Sequence, residues 1–230
     1  MYLREEEKAM IKPTQDTHLT GEPSLTEEPS GASCDPKQPS NWKDAISCLK
    51  KRFKVDVDTV KHRYKAQRGG VEMSTANVLL HDVGLQMMLA IRVMQLFREC
   101  NQGTVSKIIS RAVLRHLYAA DIHPDAELEA GVSIIHGNGI VIGRDVSIGT
   151  GSIIFHNVTV GDGRNPVTGA VGFPKIGENV VIGPGSQLFG PITVGSDCKL
   201  MAGTVLDTSL ASGSRAKPAK IQIIQPKTKS

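Results

Sequence analysis

An aliphatic residue occupies every sixth position of the segment IGENVVIGPGSQLFGPITVGSDCKLMAGTVL, which spans residues 176–206. The same spacing appears upstream in two shorter runs that begin at Ile122 and Ile142. Together the three runs contain fourteen aliphatic residues at hexad positions: Ile122, Leu128, Ile134, Ile140, Ile142, Ile148, Ile154, Val160, Ile176, Ile182, Leu188, Val194, Leu200 and Leu206. Ordinary alternating strands give a period of two, so this six-residue recurrence predicts a parallel β-helix.

The composition fits a narrow prism. Seventeen of the 23 glycines lie from residue 131 to residue 213, and only 4% of the 230 residues are aromatic. In the predicted fold three hexads close one triangular coil, the aliphatic residues stack inside, and glycine permits the tight corners. Neighbouring coils satisfy each other's backbone hydrogen bonds, as in other solenoids.

The segments before the repeat have a different character. Residues 1–40 are rich in Pro, Ser, Thr and Glu and poor in large apolar side chains, so we expect a disordered N-terminal extension. Residues 41–120 place apolar side chains at helical spacing, which predicts one helix from Thr75 to Cys100 and another from Val105 to Tyr118. This part of the chain is therefore predicted to be a small α-helical domain.

The predicted β-helix domain, residues 121–210, is interrupted once. Residues 161–174 read GDGRNPVTGAVGFP and break the hexads, which predicts a loop extruded from the solenoid. Long loops on a rigid scaffold often carry function. Residues 211–230 contain five basic and no acidic side chains and are predicted to form a basic C-terminal tail.

Several classes of protein are excluded by pattern. There is no run of 18 apolar residues, and the N-terminus lacks the apolar stretch of a signal peptide, so we expect no membrane span and a cytoplasmic location. The four cysteines have no metal-ligand spacing, and we expect no metal. No basic stripe with interleaved aromatic residues is present, so we expect no nucleic-acid partner.

The chain resembles the hexapeptide-repeat acyltransferases, and within them the serine acetyltransferases. The resemblance covers residues 75–221. It is carried by Asp121-Ile122-His123-Pro124, His136, Gly139-Ile140-Val141-Ile142-Gly143, Val158-Thr159-Val160-Gly161, Pro174-Lys175-Ile176-Gly177 and Pro218-Ala219-Lys220-Ile221. The hexads alone specify only the superfamily, whereas the Asp121 and His136 pair with the loop and the Pro-Lys-Ile segment is more specific.

The resemblance implies a left-handed β-helix and an acetyl transfer from acetyl-CoA to the hydroxyl of a small-molecule acceptor. It implies that His136 is the general base and that Asp121 is its partner. Such a carboxylate fixes the imidazole tautomer and stabilises the imidazolium. His156, one hexad before the loop, is the reserve candidate for base or substrate contact.

The cofactor and partner expectations also follow from the resemblance. Gly183, Ala202 and Gly203 are corner residues along which a pantetheine arm would lie, although tight coils need small residues in any case. Lys217 and Lys220 are candidates for the cofactor phosphates. The family implies a homotrimer or a dimer of trimers.

Three positions depart from the serine enzymes. The family has an acid before the catalytic histidine and Arg-His at the end of the loop, whereas this chain has Ile135, Gly172 and Phe173. A zwitterion bound without opposite charges would leave buried charges unpaired. We therefore expect an acceptor that is larger or less polar than serine, in contact with Ile135 and Phe173.

Three alternatives remain at the sequence level. The chain could be an O- or N-acetyltransferase on a sugar or a specialised metabolite. It could be a non-catalytic β-helix scaffold. A metalloenzyme of the γ-carbonic-anhydrase type would need three histidine ligands around zinc, and His123, His136 and His156 lack the close pair that such sites use.

Overall fold

The computed structural model describes residues 41–165 and 168–219. The predicted N-terminal extension, residues 166–167 of the predicted loop, and Lys220 with the rest of the tail lie outside the described residues. Within the described part, no helix is long and apolar enough to cross a membrane.

Residues 42–118 form helices that pack on one end of a solenoid. They are α1 (Trp42–Gln67), α2 (Thr75–His81), α3 (Val83–Glu99), α4 (Gly103–Ile109), a π-helical segment (Ser110–Arg115) and α5 (His116–Tyr118). The side chain of Asn41 caps α1 by accepting a hydrogen bond from the Asp44 N–H.

The single helix predicted from Thr75 to Cys100 is wrong at one position. Asp82 has extended backbone angles, φ −97° and ψ 100°, and its side chain accepts a hydrogen bond from the Leu85 N–H at 2.7 Å. Asp82 therefore ends α2 and caps α3. Aspartate favours this cap because its carboxylate satisfies an N–H that has no partner inside the helix.

A buried ion pair joins the helices to the solenoid. Arg92 on α3 is 1% exposed and donates from Nε and Nη2 to the two carboxylate oxygens of Asp56 on α1, at 2.8 and 3.0 Å. It also donates to the carbonyl oxygens of Leu128 and Glu129 at 2.6 and 2.7 Å. The Asp56 carboxylate in turn accepts from the Gly131 N–H. These bonds fix both helices to the first coil.

Three parallel sheets form the faces of the solenoid. The first contains β1 (Asp121–Ile122), β4 (Val141–Ile142), β7 (Thr159–Gly161), β12 (Gln187–Phe189) and β15 (Val205–Leu206). The second contains β2 (Glu127–Leu128), β5 (Ser147–Ile148), β10 (Lys175–Ile176) and β13 (Thr193–Val194). The third contains β3 (Ser133–Ile135), β6 (Ile153–Phe155), β11 (Val181–Ile182), β14 (Lys199–Leu200) and β16 (Arg215–Ala216).

The hexad prediction is confirmed. All fourteen aliphatic residues of the repeat are at most 8% exposed and form one core along the solenoid axis. The fold is a parallel β-helix preceded by a helical region, as the sequence predicts, and it matches the left-handed hexapeptide type.

Two local features complete the solenoid. Where the predicted loop leaves the hexads, β8 (Gly163–Arg164) and β9 (Val171–Gly172) form an antiparallel hairpin. At the other end, Leu210 bridges Val194 and β16 pairs with β14. The last coil therefore continues to Ala216, beyond the boundary at residue 210 that the sequence pattern suggested. The step from Leu206 to Leu210 is four residues instead of six, which breaks the hexad count.

Candidate functional site

Each strand of the third sheet is followed by a turn at the same corner of the prism. Because these strands are in register, their turns stack into one edge along the solenoid. We call it the histidine edge, and it consists of residues 136–138, 156–157, 183–185, 201–203 and 217. Backbone hydrogen bonds link successive turns, among them the Gly185 N–H to the His156 carbonyl at 3.0 Å.

His136 lies in the first turn of this edge. Its backbone is in the left-handed region, φ +56°, and its side chain is exposed. Histidine adopts this region more readily than most residues do. Non-glycine residues in this region are nevertheless uncommon and are concentrated at functional sites. The next residue, Gly137, has no room for a side chain, since a Cβ would lie 2.0 Å from the Met87 Sδ on α3. The helix therefore supports this turn directly.

His156 occupies the same position one coil later. The pairing of Ile135 with Phe155 sets this register, and the two imidazole rings meet edge-on with centroids 5.9 Å apart and planes at 64°. The His156 Nδ1 is buried and has no hydrogen-bond partner among the described residues. A buried polar atom without a partner costs free energy, so this nitrogen is available for a bound group.

Asp121 begins the first coil next to the same edge. Its N–H donates to the Ile140 carbonyl at 2.8 Å. Its carboxylate, about half exposed, accepts from the Arg115 Nη2 at 2.5 Å. In the described part of the chain no hydrogen bond joins Asp121 to His136. Among the described residues the predicted pair is therefore not joined directly, and Arg115 is the partner of the Asp121 carboxylate.

The residues predicted to contact the cofactor follow along the edge. Gly183 fills a tight site, where a Cβ would lie 2.6 Å from the Leu200 carbonyl oxygen, so packing alone requires glycine there. Gly203 has φ +72° and open space around it, and Ala202 beside it is exposed. Lys217 is exposed at the far end of the edge.

A cavity of about 440 Å³ opens beside His136. The end of α1 and the α2–α3 junction form one wall, and the first turn of the histidine edge with Ile135 and Phe155 forms the other. The two walls touch, because a Cβ on Gly84 would lie 1.9 Å from the Ile134 carbonyl oxygen. The volume is in the range of small-molecule sites.

The helical wall supplies charged groups that the sequence analysis missed. Arg63 and Asp82 line the cavity and form an ion pair, Nη2 to Oδ2, at 2.5 Å. Tyr64 lies beside them, and burial, followed by the Asp82 carboxylate, raises the pKa of its phenol. Asp82 has a sequence signal as a helix cap, but no pattern in the sequence indicates that α1 brings Arg63 to His136.

The two predicted acceptor contacts are not together within one chain. Ile135 lines the cavity. Phe173 lies at the corner that follows the first sheet, and its ring fills the space beside Gly143. Across the described residues no group of three or more His, Cys, Asp or Glu side chains is placed to hold a metal ion.

Comparisons with known proteins agree with this architecture. Residues 175–208 match the family model described as the hexapeptide repeat of succinyl-transferase. Over 147 residues the chain is 33% identical to the serine acetyltransferase of Helicobacter pylori, which covers 64% of this chain and 84% of that protein. The chain belongs to the serine acetyltransferase family.

Other relatives extend the comparison. The match to serine acetyltransferase 2 of Arabidopsis thaliana, 34% identical, covers 39% of this chain and only 27% of that longer protein. The structure of Neisseria gonorrhoeae serine acetyltransferase in complex with serine superposes with a TM-score of 0.65 and 25% identity, over 76% of this chain and 72% of that chain. A serine acetyltransferase solved in complex with CoA shares the fold, with a TM-score of 0.66 and 24% identity over 79% of this chain and 73% of that chain.

Proposed function

We propose that this chain transfers an acetyl group from acetyl-CoA to the hydroxyl of a small acceptor, with His136 as the general base. The observation that carries the proposal is the common edge. His136, His156 and the predicted cofactor contacts Ala202, Gly203 and Lys217 all lie along it, and the cavity opens at its His136 end.

The length of the edge supports a bound pantetheine arm. Neighbouring strands are about 4.8 Å apart, so the four steps from His136 to Lys217 span roughly 19 Å. That distance suits an extended thioester arm with its reactive end at His136 and its phosphates near Lys217. Relatives named serine acetyltransferase, one of them solved with CoA, support acetyl-CoA as the co-substrate.

The proposed chemistry needs one base and one leaving group. The neutral imidazole of His136 takes the proton of the acceptor hydroxyl as its oxygen attacks the thioester carbonyl carbon. The carbonyl π electrons move onto oxygen and return as the carbon–sulfur bond breaks. The CoA thiolate leaves and takes up the proton from the imidazolium. Asp121 and His156 are the proposed supporting residues; the His156 ring meets the His136 ring edge-on, which supports the role of His156.

A homotrimer, alone or joined into a dimer of trimers, is part of the proposal. The family resemblance supports it. On the first sheet, Val141 and Val205 point outward, 40% and 66% exposed, with Thr159 and Gln187 between them, and this flat face is the proposed contact surface. The acetyl-CoA groove would then lie between adjacent β-helices. Sedimentation velocity on the full chain tests the assembly, and a monomer at micromolar concentration would contradict it.

The activity is tested by thiol release. Full-length protein is incubated with acetyl-CoA and a panel of acceptors that includes L-serine, homoserine, sugars, amino alcohols and hydroxy acids, and acetylated products are identified by mass spectrometry. We expect acceptor-dependent thiol release with at least one hydroxyl compound. Thiol release no faster than in the absence of protein, with every acceptor, would contradict the proposal and favour a non-catalytic scaffold.

A further inference from the structure

The cavity beside His136 is charged on one side only. Its helical wall carries Arg63 and Asp82, whereas the facing wall has no Asp, Glu, Lys or Arg and combines the apolar Ile135 and Phe155 with His136 and Asn138. The Arg63 side chain is 13% exposed and that of Asp82 is 7% exposed. Both groups are therefore largely removed from bulk water. Charges interact more strongly in such a buried position than at the surface.

The Asp82 carboxylate is already engaged. Its Oδ1 accepts from the Leu85 N–H at 2.7 Å, which caps α3. Its Oδ2 accepts from the Arg63 Nη2 at 2.5 Å. No other acidic side chain lines the cavity within the described residues. An ammonium group on an acceptor would thus find no carboxylate free of a structural role.

Arg63 has hydrogen-bond donors that its ion pair with Asp82 does not use. A guanidinium carries five N–H donors in a planar fork that matches a carboxylate. The Arg63 Nη1 is buried and has no hydrogen-bond partner in the described part of the chain. The Tyr64 ring lies 5.6 Å from the Arg63 Cζ and limits how far the fork can turn. A carboxylate oxygen supplied by a ligand would satisfy the unpaired nitrogen.

We infer that Arg63 binds the carboxylate of the acceptor and that the acceptor is a hydroxy acid without an α-ammonium group. The hydroxyl of that acid faces His136, and its carbon chain lies against Ile135 and Phe155. This inference rests on the proposed acetyl transfer and assigns its substrate class.

Matched acceptors test the assignment in the wild-type chain. 3-Hydroxypropanoate differs from L-serine only by the missing ammonium, ethanolamine lacks the carboxylate of serine, and 1,3-propanediol replaces the carboxylate by a neutral group. We expect kcat/KM for 3-hydroxypropanoate to exceed that for the other three by about tenfold or more, the ratio typical of one charge-assisted contact. L-Serine or ethanolamine as the best acceptor overturns the inference and leaves acetyl transfer standing.

A variant series assigns the effect to Arg63. Arg63→Met is expected to raise KM for 3-hydroxypropanoate about tenfold or more while kcat changes little, and Arg63→Lys to recover part of the loss because it keeps the charge without the fork. Arg68→Met is the matched control, since the Arg68 Cζ also lies over the Tyr64 ring, 5.5 Å from its centroid, and Arg68 does not line the cavity. A lower kcat for every acceptor with KM unchanged would assign Arg63 a structural role and overturn the inference.

Calorimetric binding of 3-hydroxypropanoate gives a readout that needs no turnover. We expect the wild type to bind it more tightly than 1,3-propanediol, and Arg63→Met to lose that preference. If 3-hydroxypropanoate binds with this preference but no acceptor releases thiol, the proposed transfer fails while the anion site stands. If thiol is released but the preference is absent, the assignment of Arg63 fails alone.

Discussion

The imidazole rings of His136 and His156 meet on successive coils of one prism edge, with centroids 5.9 Å apart. The hexad register produces this contact, because the pairing of Ile135 with Phe155 places the following histidines at equivalent positions. An exposed candidate base is thereby held against a second ring whose Nδ1 is buried and without a partner among the described residues.

His156→Asn is expected to lower kcat by about 10- to 100-fold, since a displacement of a catalytic group by 1 Å has effects of that size. The measurement is acetyl-CoA turnover with the best acceptor. His123→Asn is the control, because His123 accepts from the Asp125 N–H in a turn at another corner. A kcat for His156→Asn within about twofold of wild type would show that the ring contact has no catalytic role.

Variants of Arg115 and Asp121 distinguish two roles of the Asp121 carboxylate, its ion pair with Arg115 and its proposed support of the His136 imidazolium. Both side chains are about half exposed, and such pairs contribute at most about 1 kcal/mol to stability. Arg115→Gln is therefore expected to leave the melting temperature and kcat nearly unchanged. Asp121→Asn is expected to lower kcat at least about tenfold, because an amide stabilises an imidazolium poorly. Equal losses of kcat in both variants would mean that the ion pair itself matters.

The buried ion pair of Arg92 and Asp56 is expected to contribute most of the stability that joins the helical region to the solenoid. Arg92→Met leaves the buried Asp56 carboxylate without its cation, which costs about 3–5 kcal/mol. Urea unfolding measures the change. Arg98→Met on the same helix removes one 3.3 Å hydrogen bond to the Pro124 carbonyl and should cost about 1 kcal/mol. Equal effects of the two variants would contradict the role of the buried pair.

The raised pKa of the Tyr64 phenol predicts a loss of stability at alkaline pH. Burial and the Asp82 carboxylate raise the pKa of the phenol in the folded chain, whereas the unfolded value is about 10. The folded state therefore holds this proton more tightly, and the resulting stabilisation is complete below about pH 10 and is lost as the pH rises through the raised pKa.

Tyr64→Phe should reduce the fall in the free energy of unfolding above about pH 10. Tyr118→Phe is the matched control on another helix. The same alkaline fall in Tyr64→Phe and wild type would contradict the assignment.

The solenoid was predictable because its signal is local and repeated. Each hexad places one aliphatic residue inside, and Ile122 through Leu206 follow that rule without tertiary information. The hexad count restarts at Ile142, shortly after the turn that carries His136, and the resemblance to the serine acetyltransferases then identified His136 as the candidate base.

The helical side of the site was not predictable. Arg63 reaches the cavity because α1 and α3 are packed on the first coil, where Arg92, 29 positions further along the chain and on another helix, ties them together. Long-range packing of this kind has no periodic signature. The cap at Asp82 was readable in principle, but the apolar run around it favoured one continuous helix.

The central claim is that His136 takes the proton of the acceptor hydroxyl. The direct test is kcat for His136→Asn with the best acceptor, alongside the Kd for acetyl-CoA by calorimetry. We expect kcat to fall by about 10²-fold or more while the Kd changes by less than about threefold, since the base acts on the acceptor. A His136→Asn protein that turns over at the wild-type rate would contradict the account.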